Sequence, residues 1–169
     1  MRDDISEAVA AILAEAEADI AARRPVCKAS GRCCKFEAYG HRMYVTGVEL
    51  LHFGRVERVG ENEGDFGNTL KGGLRTEDTL KVELHAVSLP QFFAGEKFEG
   101  CPYQVGGLCT ARQGRPLGCR VYFCDENAQA WQSEVYEKYH AKLKAVHEKF
   151  GVAYRYVEWR AGLRELMGA

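Results

Sequence analysis

The chain has 169 residues, of which 46% are hydrophobic and 28% charged, and its formal net charge is −1. This length and composition are typical of a globular protein, so we expect residues 1–169 to form a single domain. A net charge close to zero disfavours nucleic acid as a partner. The chain has no run of about 18 apolar residues, which disfavours a membrane-spanning segment and a membrane partner.

The N-terminal segment "MRDDISEAVAAILAEAEADI" is acidic and amphipathic, and it lacks the apolar core of a signal or transit peptide. We therefore expect a cytoplasmic location. In a reducing cytosol, clustered cysteines are more often metal ligands or catalytic groups than members of disulfides. The chain has 7 cysteines, and an odd number fits poorly with a closed disulfide framework.

Hydrophobic periodicity predicts a first helix over residues 4 to 24, capped by Asp3 or Asp4 and ended by Pro25. The apolar stripe of this helix consists of Ile5, Val9, Ile12, Ala16 and Ile20.

The next segment, "HRMYVTG", alternates around Met43 and Val45 and predicts a short strand. In "TGVE", Thr46 and Glu49 have the spacing of a capping box, which predicts the start of a helix. The buried side of that helix is expected to carry Val48, Leu51 and Val56. Residues 60–78 are rich in glycine and charge and are interpreted as a mobile loop or insertion. Residues 79–87 fit a strand, with a helix as the alternative.

The strongest helical pattern begins after Asp125, a good N-cap residue, and ends before Gly151. After it, "VAYRYVEW" predicts a strand and "WRAGLREL" a short closing helix. The expected fold is α+β and mostly helical, with long N- and C-terminal helices, a small antiparallel sheet and cysteine-rich metal-binding loops. The apolar stripe of the long helix consists of Ala128, Trp131, Val135, Tyr139, Leu143, Val146 and Phe150.

The cysteines fall into two groups with the spacing C-x5-CC and C-x7-C-x9-C-x4-C. No C-x2-C pair occurs, which argues against zinc ribbons, zinc fingers and thioredoxin-like sites. Both groups also contain glycines and basic residues. The cysteines are Cys27, Cys33 and Cys34 in the first group, and Cys101, Cys109, Cys119 and Cys124 in the second.

The adjacent pair Cys33–Cys34 favours a polynuclear site. Neighbouring side chains diverge in most backbone conformations, so the two thiols are expected either to reach different atoms of a larger metal centre or to have one bind metal while the other packs. Seven thiols also exceed the four that one tetrahedral zinc ion uses. An iron–sulfur cluster or two zinc ions with bridging thiolates would fit the count. The alternative is that these cysteines are simply buried apolar residues.

Basic residues accompany both groups of cysteines, and acidic residues are absent from both segments. Such cations are expected to offset the negative charge of thiolates and to favour their deprotonation. The six basic residues are Lys28, Arg32, Lys35, Arg112, Arg115 and Arg120.

"CKASGRCC", "YVTGVELL" and "CPYQVGGLCTARQGRPLGCRVYFC" together resemble the YkgJ-type cysteine-cluster proteins, which are described as zinc- or iron-chelating. The resemblance covers roughly residues 25–124, outside an insertion at 60–90, and it is specific because many motif positions occur in order. The matching positions are Cys27, Cys33, Cys34, Cys101, Pro102, Tyr103, Cys109, Arg115, Pro116, Cys119, Arg120 and Tyr122.

This resemblance implies metal binding, and the related flagellin lysine N-methylases are thought to carry an iron–sulfur cluster. Cys124 lies beyond the usual last cysteine of the pattern, and the spacing before the CC pair is longer than in the shortest family forms. The sequence shows nothing like a methyl-donor site, so methylase activity is not transferred, and whether the protein is an enzyme stays open.

Histidines and aromatic residues provide secondary candidates. His41 is the best non-cysteine ligand candidate, although a structural role is the simpler interpretation. His140 and His147 share one face of the long helix, where a solvated surface is expected. Most of the aromatic residues are expected in the core, and some of them are expected to wall the metal site and keep water away. These aromatic residues are Tyr39, Tyr44, Tyr103, Tyr122, Phe123, Tyr154, Tyr156 and Trp159.

Three hypotheses follow. The first is a [4Fe–4S] protein for electron transfer or a cluster-dependent modification, working with a redox or substrate protein as partner. The second is a zinc-binding structural or interaction module with a Zn2Cys6-like site, and the third is a metal-free thiol-redox protein. The expected ligand pool is Cys27, Cys33, Cys34, Cys101, Cys109 and Cys119, with Cys124 as a further candidate.

Overall fold

A computed structural model describes residues 1–57 and 100–167, so the predictions for residues 60–78 and 79–87 lie outside the described residues. The described helices are α1 (Arg2–Ala22), α2 (Phe36–Tyr39), α3 (Gly47–Val56), α4 (Leu117–Val121), α5 (Glu126–Lys149) and α6 (Trp159–Leu166). The described strands are β1 (Tyr44–Thr46), β2 (Gln104–Val105), β3 (Leu108–Cys109) and β4 (Tyr156–Glu158). This is the mostly helical α+β fold expected from the sequence.

Helix α1 packs against α3 and α5 and forms one half of the core. Its buried stripe is close to the predicted one, except that Leu13 is buried and Ile12 is only partly buried. The predicted side-chain cap is wrong. Met1 occupies the N-cap position, and the carboxylate of Asp4 pairs with the terminal ammonium at 2.6 Å instead of capping the helix.

Helix α3 begins with the predicted capping box. The Thr46 hydroxyl accepts a hydrogen bond from the Glu49 backbone N–H, and the Glu49 carboxylate accepts one from the Thr46 N–H at 2.8 Å. Val48 is buried as expected, but Leu51 and Val56 are only half-buried. The core instead receives Leu50, His52 and Phe53, because α3 contacts α1 on one side and α6 on the other.

The two sheets are both antiparallel pairs within the described part of the chain. Strand β1 pairs with β4, and Val45 lies opposite Val157. This pairing places Trp159 next to Met43, whose carbonyl accepts the Trp159 backbone N–H at 2.8 Å. Strands β2 and β3 form a short hairpin around Gly106 and Gly107.

Helix α5 begins at the predicted cap, where the Asp125 carboxylate accepts the Asn127 N–H. Within residues 1–57 and 100–167, no helix has both the length and the apolar character needed to cross a membrane.

The expected solvated histidine face of α5 is wrong, because His140 and His147 are both buried. His147 lies close to the Val152 and Ala153 carbonyls through Nδ1, and its Nε2 accepts the Val48 N–H at 3.4 Å. These contacts join α5 to α3, so His147 is structural.

Candidate metal centre

Five of the seven cysteines line one cavity of about 30 Å³ between the two cysteine segments and α6. Its other walls are mostly apolar or aromatic, and the residues of 1–57 and 100–167 that line it include no carboxylate or imidazole. The lining residues are Cys33, Cys34, Cys101, Cys109 and Cys119, together with Phe53, Tyr103, Ala111, Arg115, Pro116 and Trp159.

Cys33 and Cys34 lie in a 3₁₀ turn, Arg32–Cys34, that follows Gly31. Gly31 has φ +68°, and a Cβ there would lie 2.3 Å from the side-chain nitrogen of Gln104. The expected divergence of the adjacent thiols is wrong: their Sγ atoms are 3.9 Å apart. The tight turn places both side chains on the same cavity, which an extended backbone would not do.

Cys101 is joined to the first cysteine segment through the backbone. Its N–H donates to the Cys34 carbonyl at 2.7 Å. The preceding Gly100 has φ +98°, and a Cβ at that position would lie 2.5 Å from the same carbonyl oxygen. The Gly100 N–H in turn donates to the Glu37 carboxylate at 2.7 Å. The approach of the two cysteine segments therefore depends on a glycine at position 100.

The segment between Cys109 and Cys119 is held by Arg120, which is 8% exposed. Its guanidinium donates to the carbonyls of Gln113 and Arg115, both at 2.6 Å, and pairs with Glu17 of α1. Arg120 was expected to balance thiolate charge, and it does interact electrostatically with Cys119. Its hydrogen bonds, however, go to the backbone of the segment that positions Cys119.

Glu49 provides a second attachment for this segment. Its carboxylate accepts the Leu117 N–H at 2.8 Å in addition to the Thr46 N–H of the capping box. Burial raises the pKa of this carboxyl group. The hydrogen bonds from the Thr46 N–H, the Thr46 hydroxyl and the Leu117 N–H act in the opposite direction, because they stabilise the carboxylate. Glu49 therefore links the start of α3 to the start of α4, the helix that contains Cys119.

The cavity thiols influence one another strongly. The pKa of Cys33 is lowered to about 6 and that of Cys109 to about 7, mainly by the hydrogen bond from Cys34 and also by the Arg115 charge. The same hydrogen bonding lowers the pKa of Cys101 and raises that of Cys34. Burial raises the pKa of Cys119. Three of the five sulfurs are thus favoured as thiolates, the form that binds metal.

N–H groups also point at these sulfurs. The indole Nε1–H of Trp159 donates to Cys101 Sγ at 3.4 Å. The backbone N–H of Tyr103 favours the Cys101 thiolate, and that of Ala111 does the same for Cys109. Nothing in the sequence indicated the Trp159 contact, because it depends on the β1–β4 pairing.

Arg115 is the basic residue that lines the cavity and acts on the thiols. The Arg32 guanidinium instead stacks over the Tyr39 ring, with 4.3 Å between its central carbon and the ring centroid. Lys28, Lys35 and Arg112 are exposed. The expected charge balance therefore comes mainly from one arginine.

Cys27, Cys124 and His41 do not line the cavity. Cys27 is exposed, while Cys124 is half-buried and its Sγ lies 3.4 Å from the Ser30 hydroxyl. The His41 ring stacks on Tyr122 with 5.4 Å between centroids, and its Nε2 lies 3.4 Å from the Cys33 carbonyl oxygen. These contacts give His41 a packing role at the edge of the site.

Among the described residues, no group of three or more His, Cys, Asp or Glu side chains is arranged to hold a metal ion. The donor chemistry nevertheless fits a thiolate-bound metal centre, because five thiols and several N–H donors share an apolar cavity. In comparisons with protein-family models, curated proteins and solved structures, nothing matched this chain, so the YkgJ-type resemblance stays a prediction.

Proposed function

We propose that this protein is a cytoplasmic iron–sulfur protein in which the cavity cysteines bind a [4Fe–4S] cluster. The observation that carries the proposal is the meeting of five thiols in one cavity whose other walls are mostly apolar. A cluster bound there would supply one-electron transfer, used directly or in a modification reaction on a partner protein.

The surrounding residues support this proposal in two ways. Cys101 is 5% exposed, and Phe53 and Trp159 are buried against the cavity, so water is largely excluded from one side of it. The Trp159 N–H and backbone N–H groups stabilise negative charge on sulfur, as expected for thiolates that bind a cluster of negative overall charge. Cys33, Cys109 and Cys119 are half-buried, so they are more exposed than Cys34 and Cys101.

The experiment is purification under anaerobic conditions, followed by iron, sulfide and zinc analysis. We expect brown protein with about four irons and about four sulfides per chain. Colourless protein containing only zinc would reject the iron–sulfur proposal, and folded protein containing neither metal would reject both metal hypotheses.

A zinc site is the second candidate, and two observations favour it. Sulfurs on one tetrahedral zinc with bonds of about 2.3 Å lie roughly 3.8 Å apart. The Cys33–Cys34 separation of 3.9 Å matches this spacing, and the cavity of about 30 Å³ is small. In that case the protein would be a structural or interaction module, and the metal analysis above separates the two candidates.

Replacing Trp159 with phenylalanine is expected to lower the reduction potential of the bound cluster. The Trp159 N–H stabilises the more negative reduced state through Cys101, and phenylalanine has no such donor. We expect a fall of about 30 to 60 mV, which is roughly a threefold to tenfold change in a one-electron equilibrium. Potentiometric titration followed by electron paramagnetic resonance measures it.

The matched control is Trp131→Phe. Trp131 packs against Phe123, with 6.1 Å between ring centroids, and does not line the cavity. Its substitution should leave the potential within about 10 mV of wild type. Equal shifts in the two variants would show that the Trp159 hydrogen bond does not tune the site.

A further inference from the structure

We propose that the surface beside the cysteine cavity is a docking site for an acidic electron-carrier protein. The inference rests on the proposed function for the role of that partner, but the docking itself is judged by binding. It is carried by a group of unpaired cations and by an exposed apolar hairpin tip, which lie next to the cysteine segments.

The two cysteine segments carry five basic residues besides the buried Arg120: Lys28, Arg32, Lys35, Arg112 and Arg115. Within residues 1–57 and 100–167, none of the five forms an ion pair. Other basic residues of the same ranges do, including Arg23, Arg55, Lys138, Lys142 and Arg155. Neither cysteine segment, residues 27–35 and 101–124, contains an acidic residue, so these cations give a chain of net charge −1 a locally positive surface.

Four of these five residues are exposed, and the Arg32 guanidinium also stacks over the Tyr39 ring. Only Arg115 lines the cavity and lowers the pKa of its thiols, whereas Lys28, Arg32, Lys35 and Arg112 are exposed. Arg115 can therefore be explained as a counter-charge for the thiolates, whereas the four exposed cations cannot be explained in this way. Positive surface charge beside a redox site attracts an acidic partner and raises its association rate.

The β2–β3 hairpin supplies apolar contact area at the same place. Val105 is 49% exposed and Leu108 is 61% exposed, although Leu108 directly precedes the cavity residue Cys109. The hairpin is tied to the first cysteine segment, because the Gln104 side chain donates to the Gly31 carbonyl at 2.9 Å. Arg32 therefore lies one residue from this attachment, and cations and apolar residues form one surface.

An apolar centre bordered by cations is typical of a protein-docking surface. Nucleic acid would also be attracted by the charge, but exposed Val105 and Leu108 favour a protein partner, since aliphatic side chains add little to phosphate binding. A partner that approaches here would come next to Cys109 and Cys33, two of the half-buried thiols of the cavity, because Cys109 lies on the hairpin and Cys33 lies two residues after Gly31.

The test measures binding of the full-length, metal-loaded protein to an acidic flavodoxin by calorimetry. Reversal of two cations, Arg32→Glu with Arg112→Glu, is expected to weaken binding about tenfold or more at low salt. Raising the salt from about 50 to 200 mM should weaken wild-type binding and narrow this difference. Leu108→Ser should weaken binding about threefold at either salt concentration, because its contribution is apolar.

The matched control is Lys144→Glu with Lys149→Glu, which makes the same change in net charge at exposed positions on α5. Its affinity should stay within about twofold of wild type, apart from a general charge effect. If the Arg32 and Arg112 double variant aggregates, Arg32→Gln with Arg112→Gln replaces it, with an expected weakening of about threefold.

Two results would overturn the docking proposal. One is equal flavodoxin affinity of the Arg32 and Arg112 double variant and the Lys144 and Lys149 double variant. The other is tighter binding of a short single-stranded oligonucleotide than of flavodoxin. Iron and sulfide are measured on every sample. Cluster-containing variants with unchanged affinity therefore reject the docking site alone, whereas wild-type protein without iron rejects the proposed function.

Discussion

Serine at position 101 is expected to reduce bound iron to about a tenth of the wild-type content or less. Cys101 is almost fully buried, its sulfur accepts the Trp159 N–H, and its backbone joins the two cysteine segments. Serine preserves the backbone contact but replaces a soft sulfur donor with a hard hydroxyl, which is a poor ligand for these metals. Iron and sulfide analysis of anaerobically purified Cys101→Ser measures the effect.

The control compares cysteines inside and outside the cavity. Cys124→Ser and Cys27→Ser should keep most of the iron, because neither residue lines the cavity. Loss of iron in Cys27→Ser equal to that in Cys101→Ser would show that the exposed thiol moves into the site when metal binds. The ligand set would then be the wider one expected from the sequence.

Methionine at position 120 is expected to lower the free energy of unfolding by about 2 to 3 kcal/mol. Arg120 is buried and donates to the Gln113 and Arg115 carbonyls, and methionine fills similar space without any donor. The substitution also leaves Glu17 of α1 without its partner, although that carboxylate is half exposed and can be hydrated. Urea denaturation of wild type and Arg120→Met at equal metal content measures the difference.

Arg155→Met is the matched control for this experiment. Arg155 pairs with Glu165 at 2.6 Å, but both side chains are about half exposed, so solvent weakens the pair. Its loss should cost at most about 1 kcal/mol. An Arg120→Met variant as stable as Arg155→Met would contradict the view that Arg120 holds the segment before Cys119 in place.

The helices that build the core were largely predictable from sequence. Ile5, Val9, Ala16 and Ile20 recur with helical spacing and are all buried, since one side of α1 meets α3 and α5. The Thr46–Glu49 capping box was also predictable, because its hydrogen bonds join residues only three positions apart. Local patterns of this kind depend little on the rest of the fold.

Residues whose environment is set by distant segments were predicted less well. His147 was expected on a solvated face and is buried, because residues 152–153 fold back to its Nδ1 while α3 reaches its Nε2. Arg120 was counted as a counter-charge for sulfur; it does interact electrostatically with Cys119, but its hydrogen bonds to two backbone carbonyls were not foreseen. In both cases the residue type was noted, but its partners could not be known.

The order of residues establishes the chemical groups available to this protein: seven cysteines, two segments rich in glycine and cations, and helices able to bury a core. Spacing along the chain reflects only local geometry, so it could not decide which thiols share a site. Tertiary contacts decide which thiols meet. These contacts are the hydrogen bond from the Cys101 N–H to the Cys34 carbonyl and the β1–β4 pairing that brings Trp159 to Cys101. These contacts group five cysteines around one cavity and leave Cys27 and Cys124 outside it.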